Sequence, residues 1–302
     1  MNDQSFLLGD ADDRTGPPPH SQGGRPMTNR KNKRFRRGVS NRATGSALVA
    51  HTDGSLPVSL ATNTPLLDEW DTLPLAPADV QRQFLPGSPL VNYFRRDPGA
   101  KAFDLLRTRL LQALRAHGWG RIAIASPTEG CGTTFTAINL AQSLARIPGS
   151  RTVLMDLNHR NPGIAATLNM QGVGDMRGFL AGNVPMEQHL VRASKTLGLG
   201  LISAPDDAAA EILHDARSGE TLDLMTQSLR PDVVIYDLPP ILEYDDLAAF
   251  LPHVDGVLMV ADGTRTTAKH IAACERTLKG QSQLLGIILN RARTAGGEDA
   301  DA

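Results

Sequence analysis

Long apolar runs are missing from this sequence: no stretch approaches the ~20 consecutive apolar residues of a membrane helix. The opening MNDQSFLLGDADDR also lacks the layout of a signal peptide. A membrane association is therefore expected to come only through a partner. Cysteine is scarce: Cys131 and Cys274 stand far apart and form no CxxC pair. That argues against a disulfide framework or a zinc site and fits a reducing cytoplasm. No charge of one sign dominates either, since 31 Lys+Arg against 32 Asp+Glu leave a net charge of −1. Nothing in bulk charge points to nucleic acid or a lipid surface as the main partner.

What is present is unevenly spread. Residues 1–88 hold much of the proline, with Gly, Ser, Asn and Asp, and few apolar clusters able to offset ordering entropy. This stretch reads as disordered. Inside it, the basic run RKNKRFRRG at 30–38 reads either as a site for anionic lipid or DNA or as a solvated tail. TPLLDEWDTLPL, 64–75, is an apolar–acidic segment able to dock on a partner or on its own domain. Residues 89–118 form a linker and a leading helix, in which Phe103, Leu106, Leu110 and Leu114 recur at helical spacing.

From there β-rich runs at 121–126, 152–157, 199–204, 233–238, 256–261 and 284–290 alternate with helical patterns at 134–146, 209–229 and 266–279. Near-continuous apolar strands alternating with helices predict an α/β fold whose parallel sheet is covered on both faces. Ligands of such sheets bind beyond the carboxyl ends of the strands.

Polar residues gather at those ends. SPTEGCGTTFTAINLA, 126–141, follows the first strand and opens a helix. Gly130 and Gly132 let backbone N–H groups converge as an anion nest, to which the helix dipole adds a favourable field. Cys131, Thr133, Thr134 and Phe135 complete the candidate cradle, with the Thr134 hydroxyl placed for Mg²⁺. A plain tight turn is the competing reading. Asp156 and Asp237 end two apolar strands, where a carboxylate is costly unless it meets a cation, a metal or water. They suit a Mg²⁺–nucleotide site, or else cap helices. Asn290, ending the last strand, offers a donor and an acceptor to a purine edge, or is a turn residue. Cys131 beside a helix N-terminus reads as a redox gate or as an incidental small residue, and Cys274 as packed in a helix.

With these residues in place, 99–293 resembles the bacterial tyrosine kinases (BY-kinases, CpsD/CapB type) of capsule and exopolysaccharide synthesis, which sit among the MinD/ParA-like P-loop ATPases. The loop 126–141 aligns without a gap, VLMDLNHRNP matches the Walker A′ motif, and VIYDLPP matches Walker B. Asp246, GFLAG at 178–182 and LGIILNR at 285–291 follow in the family's order. The resemblance implies a P-loop NTPase-like domain over 119–293, after a long disordered N-terminal region and before a disordered tail at 294–302. It further implies ATP and Mg²⁺ as cofactors, and a membrane partner of the chain-length-determinant (polysaccharide co-polymerase) type.

The departures fall on catalytic positions. The loop lysine is Thr133, the second Walker A′ carboxylate is Asn158, and no lysine occurs between Lys101 and Lys195. The family's C-terminal tyrosine cluster has no counterpart in RARTAGGEDADA; the tyrosines are Tyr93, Tyr236 and Tyr244. In the leading helix, the family's self-association motif E-x-x-R-x-x-R becomes Lys101, Asp104 and Arg107. This is either a solvated ion pair or an interface of reversed polarity, pairing with itself or with a chosen partner but not with ordinary family members, while nucleotide or an active paralogue sets the protein's state. The leading expectation is a cytoplasmic, catalytically degenerate regulator of polysaccharide polymerisation or export. The alternatives are an active tyrosine kinase or ATPase using another cation, and a ParA/MinD-like positioning ATPase that touches DNA or a membrane surface.

Overall fold

The computed structural model describes residues 68–83, 98–170 and 174–292. The basic run 30–38, Tyr93 and the tail 294–302 lie outside them. The chain enters with two short helices, α1 (Glu69–Thr72) and α2 (Ala78–Gln83), then the long α3 (Pro98–His117). β1 (Arg121–Ala125), α4 (Thr133–Ala145) and β2 (Thr152–Asp156) follow. Three short helices, α5 (Ile164–Thr167), α6 (Met176–Leu180) and α7 (Met186–His189), lead to β3 (Leu190–Arg192) and β4 (Leu197–Gly200). Next come α8 (Asp207–Ala210), α9 (Ala216–Leu229) and β5 (Val233–Asp237). α10 (Asp246–Phe250), β6 (Gly256–Asp262), α11 (Ala268–Leu278) and β7 (Gln283–Asn290) complete the order.

Seven strands make one sheet in the order β3-β4-β2-β5-β1-β6-β7. Every neighbouring pair runs parallel except β3, which is antiparallel to β4. The α/β fold with a mainly parallel sheet is as the sequence predicts. Alternation within strands sorts the core into two layers. Ile122 and Ile124 of β1 pack with Phe103, Leu106, Leu110 and Leu114 of α3 and with Ile138 and Leu140 of α4. Ala123 and Ala125 face the other layer, with Phe179, Leu222, Met225 and Phe250. Burial on both faces is why β1, β2, β5 and β6 are apolar almost without interruption.

Three expectations need correction, and one left open is decided. Residues 68–83 are helical rather than disordered: Trp70, Leu73, Ala76 and Val80 are buried, and the Trp70 indole N–H donates to the Lys195 carbonyl (2.9 Å). Of the two readings of 64–75, docking on its own domain holds for the described part. Ala76 N–H donates to Arg192 O (2.8 Å) and Arg192 N–H to Pro74 O (2.7 Å), which covers the edge strand β3. The strand expected at 199–204 is β4, 197–200, because its pairing with β2 ends at Met155 opposite Gly200. The helix expected over 209–229 breaks at Asp215, whose side chain caps α9 by accepting from Arg217 N–H (2.9 Å).

Candidate functional site

The site lies at the carboxyl ends of β1, β2 and β5. β1 gives way to residues 126–132, and both glycines there take left-handed backbone, φ +71° at Gly130 and +94° at Gly132. A residue with Cβ is strained in that region, so these two positions belong to glycine. Gly132 is also the N-cap of α4, which has no side-chain cap and no acid in its first turn. A 13-residue helix therefore presents an uncapped, positively polarised N-terminus to the cleft. The cleft, of about 210 Å³, is lined by Glu129, Gly130, Thr133, Thr134, Asn158 and Asn161 among others.

Asp156 and Asp237 are register partners on neighbouring strands and both are fully buried. Asp156 accepts backbone N–H groups from Asn158 (3.2 Å), Gly163 (3.1 Å) and Ile164 (3.1 Å). Burial still outweighs these bonds and pushes its carboxyl up to about 7. Asp237 is raised too, by burial first and then by the Asp156 charge, against the opposing hydroxyl of Thr134, which donates to its Oδ2 (2.6 Å). Its Oδ1 is buried without a hydrogen-bond partner among the described residues. An orphaned carboxylate oxygen beside a threonine hydroxyl fits a divalent cation. Among the described residues no cluster of three or more His, Cys, Asp or Glu stands ready to hold a metal. An ion held by these residues would share its shell with a ligand's phosphates and water, as Mg²⁺ does. Bound there, it would neutralise phosphate charge between Thr134, Asp156 and Asp237.

The structure brings Gly130, Gly132, Thr133, Thr134, Phe135, Asn158, Asp156 and Asp237 together, and reassigns several neighbours. Asn290 clamps the loop: its Nδ2 donates to the Cys131 carbonyl (2.8 Å) and its Oδ1 receives Arg291 N–H (2.9 Å). Cys131 is buried, its Sγ near the hydroxyls of Thr128 (3.7 Å) and Thr266 (3.8 Å), in keeping with the small-residue reading. Cys274 is packed as expected, and burial pushes its thiol up to about 11. Phe135 lines the cleft with its ring edge-on to Phe103 of α3 (6.2 Å). Asn158 uses its Oδ1 to receive Asn161 N–H (3.0 Å), a turn function that needs no charge.

Lys101, Asp104 and Arg107 do not form the expected Lys–Asp pair. Asp104 accepts from the Ser143 hydroxyl (3.0 Å) and pairs with Arg107 (3.3 Å) and Arg146 instead. Arg107 also donates to the Ser143 carbonyl (2.9 Å), so these two residues fasten α3 to α4.

Sequence reasoning passed over Asp262, a third buried carboxylate at a strand end. It accepts from Thr264 Oγ1 (2.6 Å), Arg265 Nε (3.1 Å) and Arg291 Nη1 (2.6 Å). Burial alone would raise this carboxyl, but Thr264 and the two guanidinium groups overrule it and draw it down to about 2. The signal was available: an aspartate closing an apolar strand, followed by Gly-Thr-Arg. Arg160, in the Walker A′ stretch, binds buried Asp246 (2.9 Å) and stacks over Tyr244 (4.4 Å), tying the loops after β2 and β5 together.

No family model matches the chain. Over 198 residues, 64% of the chain, it is 28% identical to a putative tyrosine-protein kinase, EpsB, of Ralstonia nicotianae. It spans only 26% of that protein's length. It is 28% identical over 195 residues to the tyrosine-protein kinase YwqD of Bacillus subtilis, covering 63% of this chain and 80% of the relative. A protein of Klebsiella pneumoniae described as a putative tyrosine-protein kinase in the cps region is 27% identical over 198 residues, 64% of this chain and 27% of that one. Among solved structures, the kinase domain of the Escherichia coli tyrosine kinase ETK superposes with a TM-score of 0.62 at 23% identity, over 71% of this chain and 86% of that one. The BceF tyrosine kinase domain gives 0.59 at 22% identity, over 72% and 90%. At these identities the superpositions establish the fold. The resemblance drawn from the motifs stands: the chain is similar to bacterial tyrosine kinases.

Proposed function

We propose that this chain is a BY-kinase-like regulator of capsule or exopolysaccharide synthesis that binds Mg²⁺–ATP but turns it over slowly or not at all. One observation carries the reading: the phosphate loop keeps its shape while its charges are gone. Both glycines hold left-handed backbone, α4 is uncapped, and Thr134, Asp156 and Asp237 converge. Yet Thr133 stands at the lysine position and Asn158 at that of the second Walker A′ carboxylate.

Nest, dipole and metal act on bound phosphate in the ground state, so binding survives these losses in weakened form. A missing charge-assisted contact costs about 1.5–3 kcal/mol, roughly ten- to a hundredfold in affinity. Chemistry suffers more, because the lysine acts on charge developing at the β/γ-phosphates. Losing one preorganised stabiliser costs about 10²–10³ in rate. The partner is a membrane protein of the chain-length-determinant type, met at its cytoplasmic face, with nucleotide occupancy setting the docked state.

Calorimetric titration with Mg²⁺–ATP and a turnover assay on the same preparation test this. The expected result is measurable binding with hydrolysis near background, and a gain of about 10²–10³ in turnover for Thr133→Lys with Asn158→Asp. Hydrolysis at an ordinary kinase rate by the unaltered chain would refute the degenerate reading.

A further inference from the structure

The residues lining the phosphate cleft include an acid, Glu129, and no lysine or arginine. The loop's own cation position is Thr133. A guanidinium nevertheless touches the loop from outside that lining. Arg265, on the turn after β6, donates from Nη2 to the carbonyl of Glu129 (3.2 Å). A Cβ placed on Gly130 would sit 2.9 Å from the same nitrogen. Gly130 is thus needed for its backbone angle, and a side chain there would also push this guanidinium aside.

Arg265 is anchored toward Asp262 as well as by that bond to the loop. Its Nε pairs with buried Asp262 (3.1 Å) and its backbone N–H donates to the Asp262 carbonyl (3.1 Å). Asp262 also binds Arg291 (2.6 Å), so two guanidinium groups share this one carboxylate. The Arg265 side chain is 55% exposed. Of its five N–H donors, the bonds to Asp262 and Glu129 use two among the described residues, which leaves three, both of those on Nη1 among them, for an incoming acceptor. A planar fork with free donors matches phosphate oxygens better than a point charge does.

We propose that Arg265, anchored by Asp262, supplies the loop with the positive charge that Thr133 lacks, and so holds the polyphosphate of a nucleoside di- or triphosphate. The inference rests on the nucleotide-binding reading above and assigns the cation for it. An arginine serving only to neutralise Asp262 would leave nucleotide affinity untouched, and that difference makes the claim testable.

The experiment uses the full chain and Mg²⁺–ATP as probe, titrated by calorimetry into the unaltered protein, R265A, Thr133→Lys, and R265A combined with Thr133→Lys. Circular dichroism serves as the check of folding. R265A is expected to remain folded and to bind about ten- to a hundredfold more weakly. The lysine is expected to restore most of the loss in the double variant and to add much less when Thr133→Lys is made alone; equal gains in both backgrounds would mean that the lysine acts independently of Arg265 and would overturn the inference. Unchanged affinity in R265A overturns this inference alone and leaves the nucleotide-binding reading standing. Failure of Thr133→Lys to restore binding in a folded double variant also overturns it. Absence of binding by the unaltered chain up to millimolar nucleotide removes the nucleotide-binding reading, and this inference with it.

Discussion

Thr134 illustrates how much one hydroxyl can hold at residue scale. Its bond to Asp237 Oδ2 is the contact that opposes burial of that carboxylate, whose other oxygen has no partner among the described residues. Thr134→Val keeps the shape and removes the donor. The expected outcome is about 1–3 kcal/mol of lost stability, together with loss of Mg²⁺-dependent strengthening of nucleotide binding. Denaturant midpoints and titrations with and without Mg²⁺ check both; binding that still responds fully to Mg²⁺ would remove Thr134 from the metal site. Asp156, Asp237 and Thr134 were legible in the sequence, because a carboxylate ending an apolar strand and a threonine opening a helix after glycines each imply a chemistry. Asn290 and Arg265 were not. An amide or a guanidinium has the same letter whether it meets a ligand or a loop carbonyl, and only the packing of β6 and β7 beside β1 decides.

At the scale of elements, α1 matters more than its four residues suggest. Trp70 is buried against Gly198 and its indole N–H is satisfied by Lys195, while Arg151 stacks over its ring (5.3 Å). Trp70→Ala is expected to destabilise the fold by about 3–5 kcal/mol, or by the undocking free energy of residues 68–83 if that is smaller. Urea denaturation measures the first and limited proteolysis after residue 83 reports the second; an unchanged midpoint with no new cleavage would contradict the docking. The long elements were readable because α3, α4 and the central strands repeat their apolar residues at one period over many positions. The short ones were not: β3 spans three residues, and α1 is fixed by a contact with residues more than a hundred positions away.

For the molecule as a whole, two buried histidines set a response to acid. Desolvation pulls His159 and His189 each down to about 4, and His189 stacks on Phe179 (4.9 Å). In the unfolded chain histidine titrates near ~6.5. Between those values the unfolded chain binds the proton and the fold does not. Stability is therefore intact above about 6.5 and is lost as pH falls toward 4, on the order of 3 kcal/mol for each residue. Asp156, raised to about 7, acts with the opposite sign over an overlapping range, so the test is a difference between proteins. His189→Gln is expected to lose less stability between pH 7 and 4.5 than the unaltered chain. Equal losses would mean that His189 is not held neutral by its burial.

The Asn290 clamp gives this molecule a built-in order of assembly. The phosphate loop is made early in the chain, but its Cys131 carbonyl is held by a side chain 159 residues later. That contact can form only in a chain completed as far as β7. The loop can be spelled out in full and still lack its working shape until β7 has docked beside β6. Competence for ligand is then an audit of the finished chain: a fragment that stops before Asn290 would carry every residue of the cradle and still fail to grip.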